Sequence, residues 1–172
     1  MHIFLTGGKQ VGKTSIISSF LSSTGKSADG LVTYWEAHGD GKRSLFLAPF
    51  AGDGQAEKRF LIAPDEGRGL IFSDNTINAF EEHGCDILNN SGKCDYIILD
   101  ELGFLETKAA GFRQAVMRLI SGVIPILGVL KASHSEFLNT IRAHPNVLVR
   151  EVTIDNRNEV LKWLLHGNPY HY

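Results

Sequence analysis

Apolar residues follow two alternating patterns along the chain. Short runs rich in branched side chains alternate with longer stretches in which apolar residues recur every three or four positions. The short runs are typical of strands buried on both faces, and the longer stretches of amphipathic helices. This order predicts the α/β class, with a mostly parallel sheet flanked by helices. Strands are predicted at 3–5, 31–37, 43–50, 96–99, 123–130 and 147–152, and helices at 13–21, 112–120, 137–141, 160–165 and from about 74.

Two segments interrupt the simple alternation. The runs 31–37 and 43–50 are separated by a glycine-rich turn, which indicates an antiparallel β-hairpin inserted into the sheet. Glycine and proline break every period across residues 51–72, and we interpret this segment as a moving loop or lid. The glycines in it are Gly52, Gly54, Gly67 and Gly69.

Length and charge narrow the class of protein. A chain of 172 residues buries roughly 70% of the surface of its unfolded form, so we predict one domain over residues 1–172. Seventeen basic and nineteen acidic residues give a net charge of −2, whereas nucleic-acid binders normally carry a basic surplus. Nucleic acid is therefore disfavoured as a partner. Glycine is in excess, since 18 of the 172 residues are roughly 10% of the chain against a usual ~7%. This excess indicates tight turns.

No segment of the sequence predicts export or a membrane. The apolar run after Met1 and His2 is too short for a secretory signal, and the run 123–130 is far below the roughly 20 residues of a spanning helix. Cys85 and Cys94 form no CxxC pair, and the seven histidines are scattered. We therefore expect a cytoplasmic protein with reduced cysteines, no membrane partner and no metal ion held only by protein side chains.

The sequence between the first predicted strand and helix matches a phosphate-binding loop. Residues 7–14, GGKQVGKT, fit GxxxxGK[ST] in the strand-then-helix context that its chemistry requires. Backbone N–H groups of such a loop and the helix N-terminus bind phosphate. Lys13 is expected to reach the β- and γ-phosphates as a catalytic residue, and the Thr14 hydroxyl to ligate Mg²⁺. The predicted nucleotide contacts are Gly7, Gly8, Lys9, Gln10, Val11, Gly12, Lys13, Thr14 and Ser15, with Lys9 either on a phosphate or solvated.

Two carboxylates end the most continuous apolar run. Asp100 and Glu101 directly follow residues 96–99, and an acidic pair at the end of a buried strand is costly unless a cation lies beside it. In phosphate-loop proteins this position faces the magnesium ion. We predict that Asp100 holds Mg²⁺ and that Glu101 is the catalytic base, which orients and deprotonates the attacking water.

Three further segments carry a family resemblance. Residues 100–106, DELGFLE, resemble a DEIGxME stretch, and residues 153–157, TIDNR, resemble a TxxNR segment. Residues 30–36, GLVTYWE, followed by Lys42-Arg43, resemble a GxxTxE hairpin with a later basic pair. Together with the phosphate loop, these segments resemble the P-loop nucleoside-triphosphatase family named for its thermophilic and cancer-related members. The resemblance implies Mg²⁺-dependent hydrolysis of nucleoside triphosphates to diphosphates, with broad base tolerance.

The chain departs from that family's pattern at a few positions. The family commonly has Pro-Gly where this chain has Lys9-Gln10, and Gly-Phe where it has Ser44-Leu45. The Lys-Met pair before the last glutamate of the DEIGxME stretch is replaced by Phe and Leu. None of these changes removes a predicted catalytic or metal-binding residue.

Several residues are compatible with either a site role or a structural one. Asn156 and Arg157 follow the last strand, where they either meet the base or ribose or serve as a helix cap and a surface arginine. Lys131 ends the run 123–130 and either senses the γ-phosphate or is solvated. The candidates for a second cation at the transition state are Arg43, Arg59, Arg68 and Arg113.

Three functions are compatible with these motifs. The leading one is a Mg²⁺-dependent nucleoside-triphosphatase that hydrolyses ATP or GTP. A small-molecule kinase of the same fold would need an acceptor pocket and a closing lid, for which residues 51–72 offer the room. A nucleotide-dependent regulator with slow hydrolysis would contact a protein partner through the hairpin 31–50.

Overall fold

The computed structural model describes residues 1–39, 41–50, 58–65, 73–103 and 108–166. In these ranges the strands are β1 (His2–Thr6), β2 (Ala28–Gly39), β3 (Lys42–Pro49), β4 (Phe60–Asp65), β5 (Tyr96–Leu102), β6 (Ile126–Leu130) and β7 (Val147–Glu151). The helices are α1 (Lys13–Thr24), α2 (Asp74–Ala79), α3 (Cys85–Asn90), α4 (Ala110–Ile120), α5 (Glu136–Ala143) and α6 (Arg157–His166), and a π-helical turn, Phe80–Gly84, joins α2 to α3.

The described strands form one seven-stranded sheet in the order β4-β3-β2-β5-β6-β1-β7. The neighbours from β2 to β7 in this order are all parallel. Strand β3 runs antiparallel to β2, and β4 runs antiparallel to β3. This arrangement confirms the predicted α/β class, with a mostly parallel sheet and an antiparallel hairpin.

Each face of the sheet buries its own apolar cluster, because successive residues of a strand point to opposite faces. Leu5 of β1 packs in one cluster with Phe20 of α1 and Val160 of α6. Phe4, its neighbour in the chain, packs on the opposite face in a cluster that includes Phe112 of α4. Strand β1 is therefore held between two cores, which fixes the position from which the phosphate loop begins.

Strand β2 changes partner along its length. Residues 28–31 pair in parallel with 96–99 of β5, whereas residues 31–39 pair antiparallel with β3. At ~3.3 Å per residue, the second part rises about 25 Å beyond its last pairing with β5. The predicted hairpin therefore stands above the edge of the sheet at which the parallel strands end.

Two of the predicted boundaries are wrong. Residues 60–65, inside the segment interpreted as a loop or lid, form the edge strand β4. Pro64 and a register shift obscure its two-residue period, and the four glycines of that segment lie outside the described residues. The strand predicted at 123–130 begins only at Ile126, because Val123 lies in a bend and is 97% exposed.

Candidate active site

The carboxyl ends of β1, β5, β6 and β7 meet at one edge of the sheet, where parallel α/β proteins bind their ligands. Residues 7–12 leave β1 here and lead into α1, and β6 lies between β1 and β5. The fold brings the predicted loop and carboxylates together. The Thr14 hydroxyl donates a hydrogen bond to Asp100 Oδ2 at 3.0 Å, although 86 positions separate the two residues.

The backbone of the loop follows a path that requires glycine. Gly7 has a φ of +128°, and a Cβ atom there would lie 2.2 Å from the carbonyl oxygen of Val152. Gly12, the residue before α1, has a φ of +97°. Side chains make such left-handed backbone costly. Gln10 nevertheless adopts a φ of +58°, at the position where the family pattern has glycine.

Lys13 lies folded back over the loop. Its Nζ donates hydrogen bonds to the carbonyl oxygens of Gly7 at 3.1 Å and Gly8 at 2.5 Å. Burial lowers the pKa of Lys13, while the charges of Glu101 and Asp100 act in the opposite direction. The ammonium group is therefore close to both the loop and the acidic pair, where it can meet a phosphate group.

Asp100 is buried beside the loop with an unsatisfied oxygen. Its side chain is 6% exposed; Oδ2 accepts the Thr14 hydroxyl, and Oδ1 has no hydrogen-bond partner among the described residues. Burial raises the pKa of Asp100 to about 6. An unpartnered buried carboxylate is costly, and a bound cation would remove that cost. Carboxylate and hydroxyl oxygens suit Mg²⁺, so Asp100 and Thr14 fit such an ion.

The acidic pair lies on an irregularity in β5. The register of β5 against β6 shifts between Leu99 and Leu102, so that three steps along β5 match two along β6. Glu101 lies inside this bulge with a φ of +67°. Bulges redirect side chains next to active sites, and strained backbone is often held at functional positions. Sequence reasoning missed the bulge, because it depends on the partner strand and has no signal in residues 96–102.

Lys131, the first residue after β6, lies beside Glu101. Its Nζ is 3.8 Å from Glu101 Oε2, and each side chain is 36% exposed. Among the described residues, this is the one ion pair of the Glu101 side chain, which forms no hydrogen bond with them. The sequence left Lys131 between γ-phosphate sensing and solvation, and its proximity to Glu101 was not anticipated.

The start of α6 also lies at this edge. Asn156 Oδ1 accepts a hydrogen bond from the backbone N–H of Thr153 at 2.8 Å, and its Nδ2 donates to the Glu151 carbonyl at 3.1 Å. Its own backbone N–H donates to Thr153 Oγ1 at 3.2 Å, so Asn156 is the reciprocal partner of Thr153 in a capping box at the start of α6. Arg157 lies beside the loop, since its Cδ would be 3.9 Å from a Cβ atom on Gly12.

The arginines suggested as a second cation at the transition state are not placed beside the phosphate loop by any contact of the described residues. Arg43 donates a hydrogen bond to Asp65 at 2.9 Å, and Arg59 pairs with Glu36, so both guanidinium groups are engaged on the antiparallel strands. Arg113, in α4, has a buried Nε without a hydrogen-bond partner among the described residues. Outside the described residues lie Arg68 and residues 104–107, which include part of the DEIGxME-like stretch.

Other features of the described chain lie apart from this edge. A polar cavity of about 440 Å³ lies between β4 and the helical segment 75–83. In the described ranges, no group of three or more His, Cys, Asp or Glu side chains is placed to hold a metal ion. None of the helices in that part of the chain is long and apolar enough to cross a membrane.

Known proteins share both the sequence and the fold. A family model described as NTPase matches residues 2–165. The cancer-related nucleoside-triphosphatase homolog of Mus musculus is 32% identical over 176 residues, which cover 93% of this chain and 92% of that protein. Nucleoside-triphosphatase THEP1 of Thermotoga sp. (strain RQ2) is 30% identical over 168 residues, with 96% and 94% covered.

A solved structure shares the fold of this chain. The crystal structure of THEP1 from the hyperthermophile Aquifex aeolicus is similar with a TM-score of 0.72, covering 98% of this chain and 99% of that one, at 21% identity. The family model spans nearly the whole chain, and the relatives are matched over nearly their full lengths. The chain therefore belongs to the family of nucleoside-triphosphatase enzymes that includes THEP1 and the cancer-related nucleoside-triphosphatases.

Proposed function

We propose that this protein is a Mg²⁺-dependent nucleoside-triphosphatase that converts ATP or GTP to the diphosphate and inorganic phosphate. The observation that carries the proposal is the 3.0 Å contact between Thr14 and Asp100, with the second Asp100 oxygen left without a partner among the described residues. A glycine-dependent loop beside a buried carboxylate with an unsatisfied oxygen suits one ligand, a nucleotide bound with its metal ion.

The loop supplies the phosphate contacts in this proposal. Its backbone N–H groups and the N-terminus of α1 bind phosphate oxygens. Lys13 exchanges the carbonyl oxygens of Gly7 and Gly8 for those of the β- and γ-phosphates, because an ammonium group is attracted more strongly to an anionic oxygen than to a neutral carbonyl. The ammonium group then stabilises the negative charge that develops on the transferred and leaving groups.

Thr14 and Asp100 are the proposed metal ligands. Mg²⁺, when bound there with the nucleotide, neutralises charge on the phosphate oxygens. Carboxylate and hydroxyl oxygens are among the ligands that suit Mg²⁺.

Glu101 is the proposed general base. Its carboxylate accepts a proton from a water molecule as the water oxygen bonds to the γ-phosphorus. The bond between the γ-phosphorus and the bridging oxygen breaks, and the diphosphate leaves with that oxygen and the electron pair. Glu101 then releases the proton to solvent, which reaches it because the side chain is partly exposed.

The rest of the predicted binding set extends from the loop toward the nucleoside. We propose phosphate contacts for the remaining loop residues and a nucleoside contact for Arg157, supported by its position beside Gly12. Asn156 would contribute through the helix cap that orients Arg157. The remaining loop residues are Gly7, Gly8, Lys9, Gln10, Val11, Gly12 and Ser15.

We also propose that residues 1–172 form one domain and that the protein works in the cytoplasm. The described strands share one sheet, which supports a single domain. Cys85 and Cys94 are free thiols, which supports a reducing compartment.

Phosphate release from ATP and GTP, measured with and without Mg²⁺, tests the proposed reaction. We expect Glu101→Gln to lower kcat by about 100-fold or more, because the amide cannot take the proton of the water. Nucleotide affinity, measured by titration with a non-hydrolysable ATP analogue and Mg²⁺, should change little. Glu82→Gln, on the exposed side of the π-helical turn, is the matched control and should retain wild-type turnover.

Three outcomes would contradict parts of this proposal. Equal loss of affinity and turnover in Glu101→Gln would make Glu101 structural. Phosphate transfer only after addition of an acceptor alcohol would favour the small-molecule kinase. Turnover that rises steeply with a protein partner would favour the regulator, with the hairpin 31–50 as the contact surface.

A further inference from the structure

The contact between Lys131 and Glu101 joins the ends of two neighbouring strands. Glu101 lies in the bulge of β5, and Lys131 follows the last residue of the adjacent strand β6. The Lys131 backbone N–H donates a hydrogen bond to the Leu102 carbonyl at 2.9 Å. The two strands are thus tied together at the level of the carboxylate, and the ammonium group lies 3.8 Å from Glu101 Oε2.

Gly103 provides the surface on which the lysine side chain lies. A Cβ atom at this position would be 2.6 Å from Lys131 Cδ, 3.2 Å from Cε and 3.3 Å from Nζ. The aliphatic stem therefore passes directly across the glycine, and any side chain there would displace it. The absence of a side chain at position 103 directs the ammonium group toward Glu101.

Arg142 binds the backbone of residues 131–133, the segment that carries the Lys131 side chain. From α5, its Nη2 donates hydrogen bonds to the carbonyl oxygens of Lys131 at 2.7 Å and Ser133 at 3.1 Å. Its Nη1 donates to Asn139 Oδ1 at 3.1 Å, within the same helix. The guanidinium group therefore fixes the backbone from which the Lys131 side chain starts.

We propose that Lys131 is the positioning residue for Glu101, held in place by Gly103 beneath its stem and by Arg142 behind its backbone. The proposal rests on the proposed function of Glu101 as the base. Glu101 forms no other ion pair and no hydrogen bond with the described residues through its side chain, so without the lysine its carboxylate would sample several rotamers. A misplacement of about 1 Å can cost about 100-fold in rate.

Positioning differs from phosphate binding in what it does to the kinetics. A lysine that binds the γ-phosphate in the ground state contributes to nucleotide affinity, whereas one that orients the base contributes to kcat. It also differs from general structural support, because its effect depends on the presence of Glu101.

The test measures kcat, KM and analogue affinity in Lys131→Met and Gly103→Ala. Each should lower kcat by about 10-fold and leave the dissociation constant of a non-hydrolysable ATP analogue with Mg²⁺ within about twofold. The double variant should be no slower than Lys131→Met, since both changes remove the same contact.

The Glu101→Gln background tests whether the effect of Lys131 acts through Glu101. Lys131→Met should add no loss of kcat in that background, and Lys131→Arg in the wild-type background should recover part of kcat. Arg142→Ala should lower kcat less, in the same direction.

Lys93→Met and Gly92→Ala are the matched controls. Lys93 is exposed, and a Cβ atom on Gly92 would meet nothing within 4 Å, so both should behave as wild type. If Gly103→Ala fails to fold, the Lys131 variants alone decide the outcome.

The possible results separate this inference from the proposed function. Wild-type kcat in Lys131→Met, or a loss that multiplies with that of Glu101→Gln, overturns the positioning role. A 10-fold weaker analogue affinity with little change in kcat would make Lys131 a phosphate ligand instead. If Glu101→Gln turns over as fast as wild type, the proposed base is wrong and the positioning role falls with it.

Discussion

Two buried polar side chains lie at opposite ends of the parallel strands, Asp100 at the carboxyl end and His2 at the amino end. They are 6% and 1% exposed. In each, one atom is satisfied: Asp100 Oδ2 accepts from Thr14, and His2 Nδ1 accepts from the Ile126 backbone N–H at 3.1 Å. The second oxygen of Asp100 has no hydrogen-bond partner among the described residues, whereas the His2 ring also interacts with the backbone of Ile120.

Asp100 and His2 differ in whether their surroundings point to a bound ligand. Burial raises the pKa of Asp100 and lowers the pKa of His2, so burial favours the neutral form of both. A neutral imidazole is therefore the stable form of His2 at neutral pH. Asp100, with a pKa of about 6, still ionises near neutral pH beside a phosphate loop. An unsatisfied buried atom therefore points to a ligand when its group is charged and lies beside a binding loop.

The largest effect is expected for Asp100→Asn, which should change activity and stability in opposite directions. We expect kcat with Mg²⁺ to fall by about 100-fold or more, because a metal ligand is lost. The free energy of unfolding of the ligand-free protein should rise by about 3 kcal/mol at neutral pH, since the buried charge is removed and a pKa unit corresponds to ~1.4 kcal/mol. Steady-state kinetics and urea unfolding measure the two effects.

Asp95→Asn provides the control of opposite sign. Hydrogen bonds from Ser27 and Lys26 lower the pKa of exposed Asp95 to about 2, so this carboxylate is stabilised as an anion. Its replacement should lower stability and leave activity unchanged. A ligand-free Asp100→Asn protein less stable than wild type would contradict the interpretation of Asp100 as a cation ligand.

A smaller effect is expected at His2, and only in acid. Because the folded pKa is lowered, the unfolded chain binds a proton as the pH falls below about 6.5 while the folded protein does not. Stability from this group is complete above that pH and is lost progressively below it. His2→Gln should flatten this part of the pH dependence, measured by urea unfolding at about pH 5 and about pH 7.5.

His134→Gln is the matched control, because His134 is exposed. It should keep the wild-type pH dependence. If His2→Gln keeps the same loss in acid, His2 is not the buried group responsible, and its contrast with Asp100 fails.

The smallest effect on stability is expected at Gln10, a residue of the phosphate loop whose backbone is strained by a positive φ. Gln10→Gly should raise the free energy of unfolding by about 0.5 kcal/mol, because relief of the left-handed conformation slightly exceeds the extra entropy that glycine loses. Lys9→Gly, at the neighbouring position without a positive φ, should instead lower stability. Chemical denaturation of both variants checks the sign, and a loss of stability in Gln10→Gly would show that the loop is not strained there.

The predictable parts of the fold are those whose contacts are local. Residues 7–14 could be assigned because the loop, the strand before it and the helix after it are adjacent in the chain. The start of α2, predicted at about residue 74, is local in the same way, since Ser73 and Thr76 form a capping box within one turn. Strand β4 was missed because an edge strand interrupted by proline has little periodic signal and depends on β3 for its hydrogen bonds.

The sequence alone determined the α/β class, the phosphate loop and the acidic pair at the end of a buried strand, because spacing and residue type carry these features locally. Only the tertiary structure decided that β6 lies between β1 and β5, that a bulge turns Glu101 out of register, and that Lys131 meets it. Strand order and register are set by packing between residues far apart in the chain, and no local pattern records which strand becomes the neighbour.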